Sequence, residues 1–331
     1  LETGDNDALS SYTSGSGTSS IKFSYIVSEG DYTEDLSYIN QNALELNQGS
    51  INDAAGNNMV LILPEPDSTG SLSFNKNLNI DGILPFINSV TSLDSSGTYI
   101  FGDTIDIAMN FSKQMNVTGT PQLLLETGSN DASIPYLSGA GSETLVFRYI
   151  IESGHSSNDL SYQSDSSLVL NGGSITDLAG NRLLLNLPEI GSTFSISGSS
   201  DIYVDGDVPN APTDLIATPG SGRVDLTWNE NTETDLAHYK VYADTITNPN
   251  RYIGDAFIGL HKYTHSGIPN GSVWYYRVSA VDLAGNESEK TITMFSMPHD
   301  PFNEQCLSFD GDNDYIDTPL DGDLLPLTIS V

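Results

Sequence analysis

The chain has 331 residues, of which 37% are hydrophobic, so it is long enough for two or three domains and too apolar for a disordered polypeptide. Its 44 acidic and 11 basic residues give a net charge of −33, which excludes a nucleic-acid-binding surface and attraction to anionic membranes. A single cysteine excludes an internal disulfide framework, and the absence of a run of about 18 apolar residues predicts no membrane insertion.

The first 85 residues recur 124 positions later without a gap. Residues 1–4 (Leu-Glu-Thr-Gly) return as residues 125–128, and Asp81-Gly82 returns as Asp205-Gly206. Roughly 40 of the 85 aligned positions are identical, and self-similarity of this kind marks a modular array. Residues 86–124 have no counterpart before Leu1. We therefore expect the chain to open inside a domain, as a window on a longer polypeptide.

Strict alternation of apolar and polar residues predicts β-strands along both copies, and no stretch reads convincingly as a helix. Three sets of side chains are each expected to share one buried face: Ile21, Phe23, Tyr25 and Val27; Leu145, Phe147, Tyr149 and Ile151; and Ile105, Ile107, Met109 and Phe111. Many short strands separated by Gly, Asn, Asp and Ser are typical of β-sandwiches. We therefore predict an all-β chain of tandem β-sandwiches.

The segment 86–208 carries three ordered motifs. These are Gly-Thr-Tyr-x-x-Gly-Asp-Thr-Ile at 97–105, Gly-Thr-Pro at 119–121, and the run from Leu168 to Asp177-x-Ala-Gly-Asn181. It resembles the bacterial immunoglobulin-like repeats found in tandem in large surface and adhesin-type proteins. The resemblance implies a complete repeat at 86–208, a truncated one at 1–85, and an extracellular spacer without an active site.

From Val208 the pattern changes. A Pro-rich junction leads into Leu215 and Trp228, then Tyr-Lys-Val-Tyr at 239–242 and Tyr-Arg-Val-Ser-Ala at 276–280. This stretch resembles a fibronectin type III domain over 209–297. The position that usually holds the corner tyrosine is Trp274, so the usual corner hydrogen bond must be replaced or lost.

Residues 304–331 contain the string Leu-Ser-Phe-Asp-Gly-Asp-Asn-Asp-Tyr-Ile at 307–316. This string resembles the first strands of laminin G-like, concanavalin-type jelly rolls. The resemblance implies the incomplete beginning of such a domain, with its ligand-binding residues outside this window. The short acidic run lacks the sixth-position glycine and distal glutamate of an EF-hand, so we interpret it as part of a strand edge.

Acidic residues are expected to converge where the fibronectin-like domain begins. Its loops after strands B and F and the incoming linker should meet at one pole. Carboxylates held close together repel unless a cation intervenes, and Ca²⁺ prefers such oxygen ligands. The predicted ligands of this calcium site are Asp205, Asp207, Glu230, Glu233, Asp235 and Asp282, with Asp81 in the same role at the preceding junction. The alternative is that these are solvated loop acids that never meet.

The Asp-x-Ala-Gly-Asn turns at Asp53, Asp177 and Asp282 have a simpler interpretation, in which Asp and Asn cap the turn and Gly supplies a positive φ. Catalytic motifs are missing: no nucleophile elbow, phosphate loop or zinc-protease helix is present. The five histidines, including His261 and His265, are interpreted as solvated loop residues rather than metal ligands. We therefore predict that the chain is not an enzyme.

The main functional prediction is a segment of a large extracellular or cell-surface protein, a stalk stiffened by calcium that serves adhesion or surface attachment. Carbohydrate or a surface protein would be bound by domains outside this window. One alternative is a structural subunit of an extracellular filament or sheath, completed by neighbouring chains. Another is an accessory region of a secreted polysaccharide-degrading enzyme.

Overall fold

The computed structural model describes residues 1–299, which form strands joined by turns and only two single-turn helices. The predicted laminin G-like segment, 304–331, lies outside the described residues. The chain divides into two compact units. Unit 1 is Leu1–Pro209 together with Val281–Ser288, and unit 2 is Asn210–Ala280 together with the residues from Glu289 onward. The all-β sandwich prediction is confirmed.

Unit 1 begins with the first copy of the repeat and continues into the second. Its elements in chain order are β1 (Ser11–Ser14), β2 (Lys22–Ser24), β3 (Tyr32–Thr33), α1 (Leu72–Asn75), β4 (Ile80–Asp81), β5 (Ile87–Ser92), β6 (Gly97–Ile100), β7 (Thr104–Thr118), β8 (Gln122–Glu126), β9 (Ala132–Ser138), β10 (Ser142–Ile150), β11 (Ser156–Ser157), β12 (Ser161–Tyr162), β13 (Leu168–Val169), β14 (Ser174–Asp177), α2 (Ile196–Ser199) and β15 (Ile202–Asp205).

The second copy and the preceding residues 86–124 together form a sandwich organised around β7. In its larger sheet the strand order is β12-β8-β9-β10-β7-β14, with β13 added to β8 and β5 added to β7. Opposite it, β15 lies between β11 and β6 and runs parallel to β6. The antiparallel register pairs Phe147 with Ile107 and Tyr149 with Ile105, and all four side chains are fully buried. The predicted inward faces of both strands are confirmed, because alternate residues of a strand point to the same side.

The first copy is much less complete. It contains two two-stranded sheets, β1-β2 and β3-β4. The strand predicted over 21–27 is limited to Lys22–Ser24, and Phe23 and Val27 on its predicted buried face are 43% and 45% exposed. That part of the prediction is wrong for a physical reason. Burial needs neighbouring strands and an opposing layer, and in the second copy residues 86–124 supply eight of the 24 core side chains as well as β7, which pairs with β10.

Unit 2 contains β16 (Ile216–Gly220), β17 (Arg223–Thr227), β18 (Leu236–Asp244), β19 (Tyr252–Phe257), β20 (Lys262–Ser266), β21 (Trp274–Asp282) and β22 (Met294–Ser296). The three-stranded sheet has the order β16-β17-β20, and the four-stranded sheet has the order β19-β18-β21-β22. The last two residues of β21 are counted with unit 1. Trp228, Tyr239 and Tyr276 are buried in the core between the sheets, as the alternation of their strands predicts.

At Trp274 a different hydrogen bond takes the place of the usual corner hydrogen bond. Its indole N–H donates to Ser272 Oγ at 3.1 Å, and Ser272 Oγ donates to the carbonyl of Pro269 at 2.5 Å. A hydroxyl relay therefore ties the start of β21 to the preceding turn. Neither single-turn helix of residues 1–299 has the length or apolar character required to cross a membrane.

Candidate functional site

Three turns with the sequence Asp-x-Ala-Gly-Asn recur along the chain, at 53–57, 177–181 and 282–286. Each is flanked by an isolated antiparallel bridge, and in each the first residue's N–H donates to the carbonyl of the asparagine. The glycine has φ of +88°, +94° and +109° in the three turns. Only glycine adopts such angles without steric cost, so the sequence specifies one local structure three times.

The aspartate of each turn accepts hydrogen bonds from the residues that follow it. Asp177 Oδ1 accepts from the Asn181 N–H at 2.8 Å, and Asp177 Oδ2 accepts from Asn181 Nδ2 at 2.9 Å. Asp282 and Asn286 repeat both bonds at the same distances. The sequence interpretation of these residues as turn caps is what the hydrogen bonds describe.

The asparagine also reaches the exit strand of the preceding module. Asn181 Nδ2 donates to the backbone carbonyl of Asp81 at 2.9 Å, and Asn286 Nδ2 donates to the carbonyl of Asp205 at 3.0 Å. We call these two arrangements the first and second linker clamps. Each consists of a turn aspartate, its asparagine and the aspartate at the end of the earlier repeat. All six residues belong to unit 1.

The glycine after each clamped aspartate lies against its own repeat. Gly82 N–H donates to the Asp31 carbonyl and Gly206 N–H donates to the His155 carbonyl, both at 2.7 Å. A Cβ at either glycine would lie 2.2 Å from a backbone carbonyl oxygen, so no larger residue fits without moving the chain. The repeated Asp-Gly pair therefore presents a carbonyl at a fixed position.

The first clamp also holds an ammonium group. Lys113 Nζ lies 2.6 Å from Asp81 Oδ1, 2.9 Å from Asp177 Oδ2 and 2.6 Å from the carbonyl oxygen of Ile83. Burial alone would raise the pKa of Asp177, but hydrogen bonds from Asn181 and Lys113 outweigh it and lower that pKa. Burial alone would lower the pKa of Lys113, and the two carboxylates reverse that and raise it.

The second clamp brings two of the predicted calcium ligands together. Carboxylate oxygens of Asp205 and Asp282 lie within 4.8 Å of each other, and Asp282 is 2% exposed. Asn286 is fully engaged, because its Oδ1 accepts the backbone N–H of Phe101 at 2.9 Å. Asp207 follows directly, and its N–H donates to Asp205 Oδ1 at 3.1 Å.

Three of the other predicted ligands, Asp81, Glu233 and Glu230, have partners of their own. Asp81 pairs with Lys113, as described. In unit 2, Glu233 Oε1 accepts two hydrogen bonds from Asn210 at 2.7 Å, which lower its pKa although burial alone would raise it. Glu230 Oε2 lies 3.3 Å from His261 Nε2. Asp235 is exposed just before β18.

Two histidines differ from the prediction that all five are solvated. His155 is 7% exposed, and its Nδ1 lies 3.1 Å from the hydroxyl of Tyr149. Nδ1 of His265 lies 3.2 Å from the hydroxyl of Tyr276, and burial lowers the pKa of His265. Each histidine satisfies a buried tyrosine hydroxyl. Sequence reasoning missed this because the partners come from different strands or turns.

Sequence reasoning also missed Lys113 and the second role of both clamp asparagines, which is their hydrogen bond to the carbonyl of the preceding exit strand. Lys113 lies two residues beyond the strand predicted to end at Phe111, and it is far in sequence from Asp81 and Asp177. A signal was nevertheless present, since the Asp-x-Ala-Gly-Asn turn recurs in both the repeats and the fibronectin-like segment. A turn kept across unlike domains indicates a task beyond chain reversal.

Comparison with known proteins gives partial relatives. The chain is 30% identical to an amylopullulanase of Thermoanaerobacterium saccharolyticum over 138 residues, which is 41% of this chain and 10% of that enzyme. It is 25% identical to an amylopullulanase of Thermoanaerobacter thermohydrosulfuricus over 219 residues, 59% of this chain and 14% of the enzyme. The chain thus spans a small part of these relatives, and the prediction that it is not itself an enzyme is confirmed.

Among solved structures, similarity extends to a Fn3-like protein of Clostridium thermocellum, with 27% identity, 29% of this chain and 96% of that chain covered, and a TM-score of 0.24. The FN1–FN3 domains of chicken CNTN1 cover 67% of this chain and 70% of theirs, with 14% identity and a TM-score of 0.36. No family model matches the chain.

Proposed function

We propose that this chain is a non-catalytic accessory region of a secreted polysaccharide-degrading enzyme, in which it spaces and orients other domains. The observation that carries the proposal is its similarity to a minor part of enzymes named amylopullulanases. This similarity favours the accessory interpretation over the adhesion stalk that the repeats alone suggest. An extracellular location and a carbohydrate context follow from the same proposal.

The clamps supply a physical mechanism for spacing. Each clamp uses one asparagine side chain to bind both its own turn and the exit carbonyl of the preceding repeat. A buried amide hydrogen bond contributes about 1 kcal/mol, and leaving its partners unsatisfied costs about 1–3 kcal/mol. Repeated at successive exits, this contact would turn flexible linkers into positioned ones.

The direct test uses the full-length protein, assayed for hydrolysis of pullulan with and without residues 86–297. We expect hydrolysis of the soluble polysaccharide to remain within about twofold after the deletion, because an accessory region contributes no reacting group. A short soluble oligosaccharide serves as a second substrate. If the deletion variant no longer hydrolysed it, the non-catalytic role would be contradicted. A full-length protein that hydrolyses no glucan would restore adhesion as the leading proposal.

A second proposal concerns calcium, and the first clamp supports it. There, the ammonium of Lys113 is surrounded by oxygens of Asp81, Asp177 and Ile83 at 2.6–2.9 Å. The positive charge of this ammonium group is held by the same types of oxygen that would bind a metal cation, which supports the proposal. We propose that Ca²⁺ takes the corresponding place beside Asp205 and Asp282. A further oxygen ligand is expected from Asp207, which follows Asp205 in the same unit.

Thermal melts of the full chain in Ca²⁺ and in chelator test this site. Calcium should raise the melting temperature of the wild type, because a ligand that binds only the folded state stabilises it. Asp205→Asn should lose the response, and Asp165→Asn, an exposed acid outside both clamps, should keep it. Lys113→Ala should gain a second response by exposing Asp81 and Asp177 to the metal. Equal melts in calcium and chelator would reject the site.

A further inference from the structure

The first copy of the repeat exposes side chains that the second copy buries in its core. Phe23 is 43% exposed where its counterpart Phe147 is fully buried, and Leu78 is 41% exposed where Ile202 is fully buried. Met59 and Val27 differ from their counterparts in the same sense. Isolated exposed apolar residues are ordinary, but a contiguous apolar face marks an interaction surface. We call the set Phe23, Val27, Met59 and Leu78 the open face.

The second copy shows what covers this face. Its core includes a contribution from residues 86–124, consisting of Ile87, Val90, Ile105, Ile107, Met109, Phe111, Met115 and Leu123. Within this segment, β7 pairs with β10 from Ile150–Thr104 to Thr144–Asn110 and continues past a bulge. Residues 86–124 therefore supply both a third of the buried core residues and the strand next to β10.

The first copy offers the same two features to a partner. Its β2, the counterpart of the middle of β10, pairs with β1. Within the described residues the opposite edge of β2 adjoins no strand. An unpaired strand edge beside an apolar face accepts an added strand through main-chain hydrogen bonds, with alternate side chains filling the face.

We propose that the open face is a docking site for a polypeptide with the sequence pattern of residues 86–124. The occupant is a strand that alternates apolar residues as Ile105, Ile107, Met109 and Phe111 do, laid antiparallel along β2. Its specificity lies in that spacing, because a shift of one residue would point polar side chains into the face.

The decisive experiment attaches this pattern to the full chain. In the second copy, residue 124 leads directly into residue 125, the counterpart of Leu1, so a second copy of 86–124 can precede Leu1 without a linker. Hydrogen exchange should then slow at least tenfold over residues 21–27 and 76–82, with a rise in melting temperature. Unchanged exchange in both segments would overturn the proposal.

Matched variants of the fusion separate docking from a general effect of added chain. Ile107→Asp in the attached segment should abolish the protection, whereas Ser112→Asp, at an outward position of the same strand, should not. In the acceptor, Phe23→Asp should abolish protection. Ile62→Asp should preserve it, because Ile62 is 62% exposed and its counterpart is Asn186. Equal protection with the Ile107→Asp segment would also reject the assignment.

A third measurement examines the unmodified chain by sedimentation velocity and hydrogen exchange across a concentration series. The proposal expects a monomer whose residues 21–27 exchange fast, together with slowed exchange when a synthetic 86–124 peptide is added. A concentration-dependent dimer with the open face already protected would make it an interface between copies and overturn the stated occupant. This test does not depend on the enzyme context proposed above.

Discussion

The two copies of the repeat share close to half of their aligned residues, yet they differ in how their apolar faces are used. In the second copy Phe147 and Ile202 are sealed inside a sandwich, while Phe23 and Leu78 at the same positions of the first copy remain in contact with solvent. Alternation determines which side chains point the same way. The difference teaches that whether a side chain is buried depends on the strands and layers around it as well as on its own strand. The same strand pattern therefore contributes differently to the free energy of unfolding in each copy.

The strongest test of this difference between the copies is a matched pair of side-chain substitutions to alanine. Phe147→Ala should lower the free energy of unfolding by about 3–5 kcal/mol, because it opens a cavity in a closed core. Phe23→Ala should cost no more than about 1 kcal/mol, because its ring is already partly solvated. Hydrogen exchange of the β7 and β2 amides reports the two effects separately. Equal costs would mean that the first copy is closed in solution.

Removing the cation of the first clamp should give the next largest effect. Lys113→Met leaves the carboxylate of Asp177, which is 2% exposed, without its partner, at a cost of about 2 kcal/mol. The control is Arg148→Met, which breaks a more exposed pair with Asp106 and should cost about 0–1 kcal/mol. Denaturant unfolding followed by exchange of the β14 amides measures both. A smaller loss for Lys113→Met than for Arg148→Met would refute the role of the lysine.

Substituting the asparagines at the same position of the two copies should change the free energy of unfolding by a smaller amount. Asn181→Ala removes bonds to both Asp177 and the Asp81 carbonyl, and should cost about 1–2 kcal/mol. Asn57→Ala, at the same position of the first copy, removes bonds to Asp53 within an exposed turn and should cost about half as much. The difference, read from thermal melts, estimates the linker contact. If both variants melt alike, the carbonyl bond contributes nothing measurable.

The smallest expected effect is a pH dependence of the stability that Lys113 contributes to the fold. The pKa of Asp177 is lowered in the fold, so its contribution is complete above the unfolded value of about 3.9 and is lost as pH falls through the folded value. The pKa of Lys113 is raised, so its contribution is complete below about 10.4. The stability gap between wild type and Lys113→Met should stay constant from pH 5 to pH 9 and narrow near pH 3. A gap that widens there would contradict this assignment.

Much of the fold could be predicted from sequence, because period-2 alternation and turn residues are local signals. The inward faces of β7 and β10 are examples. Less of the candidate site could be predicted from sequence. Asp205 and Asp282 were both predicted to lie at the junction, and their carboxylate oxygens lie within 4.8 Å of each other. Lys113 and the linker bond of Asn181 were missed because their partners come from distant segments, whereas His155 was missed although its partner Tyr149 is only six residues away.

The asparagine of each clamp binds a main-chain oxygen, an atom that every residue possesses. Because the contact ignores side-chain identity, a module ending in Asp-Gly can be followed by any module that carries the turn. The turns at 177–181 and 282–286 both make this contact. Sequence change elsewhere in either partner therefore leaves the contact intact, as long as the turn and the path of the main chain at the exit are kept.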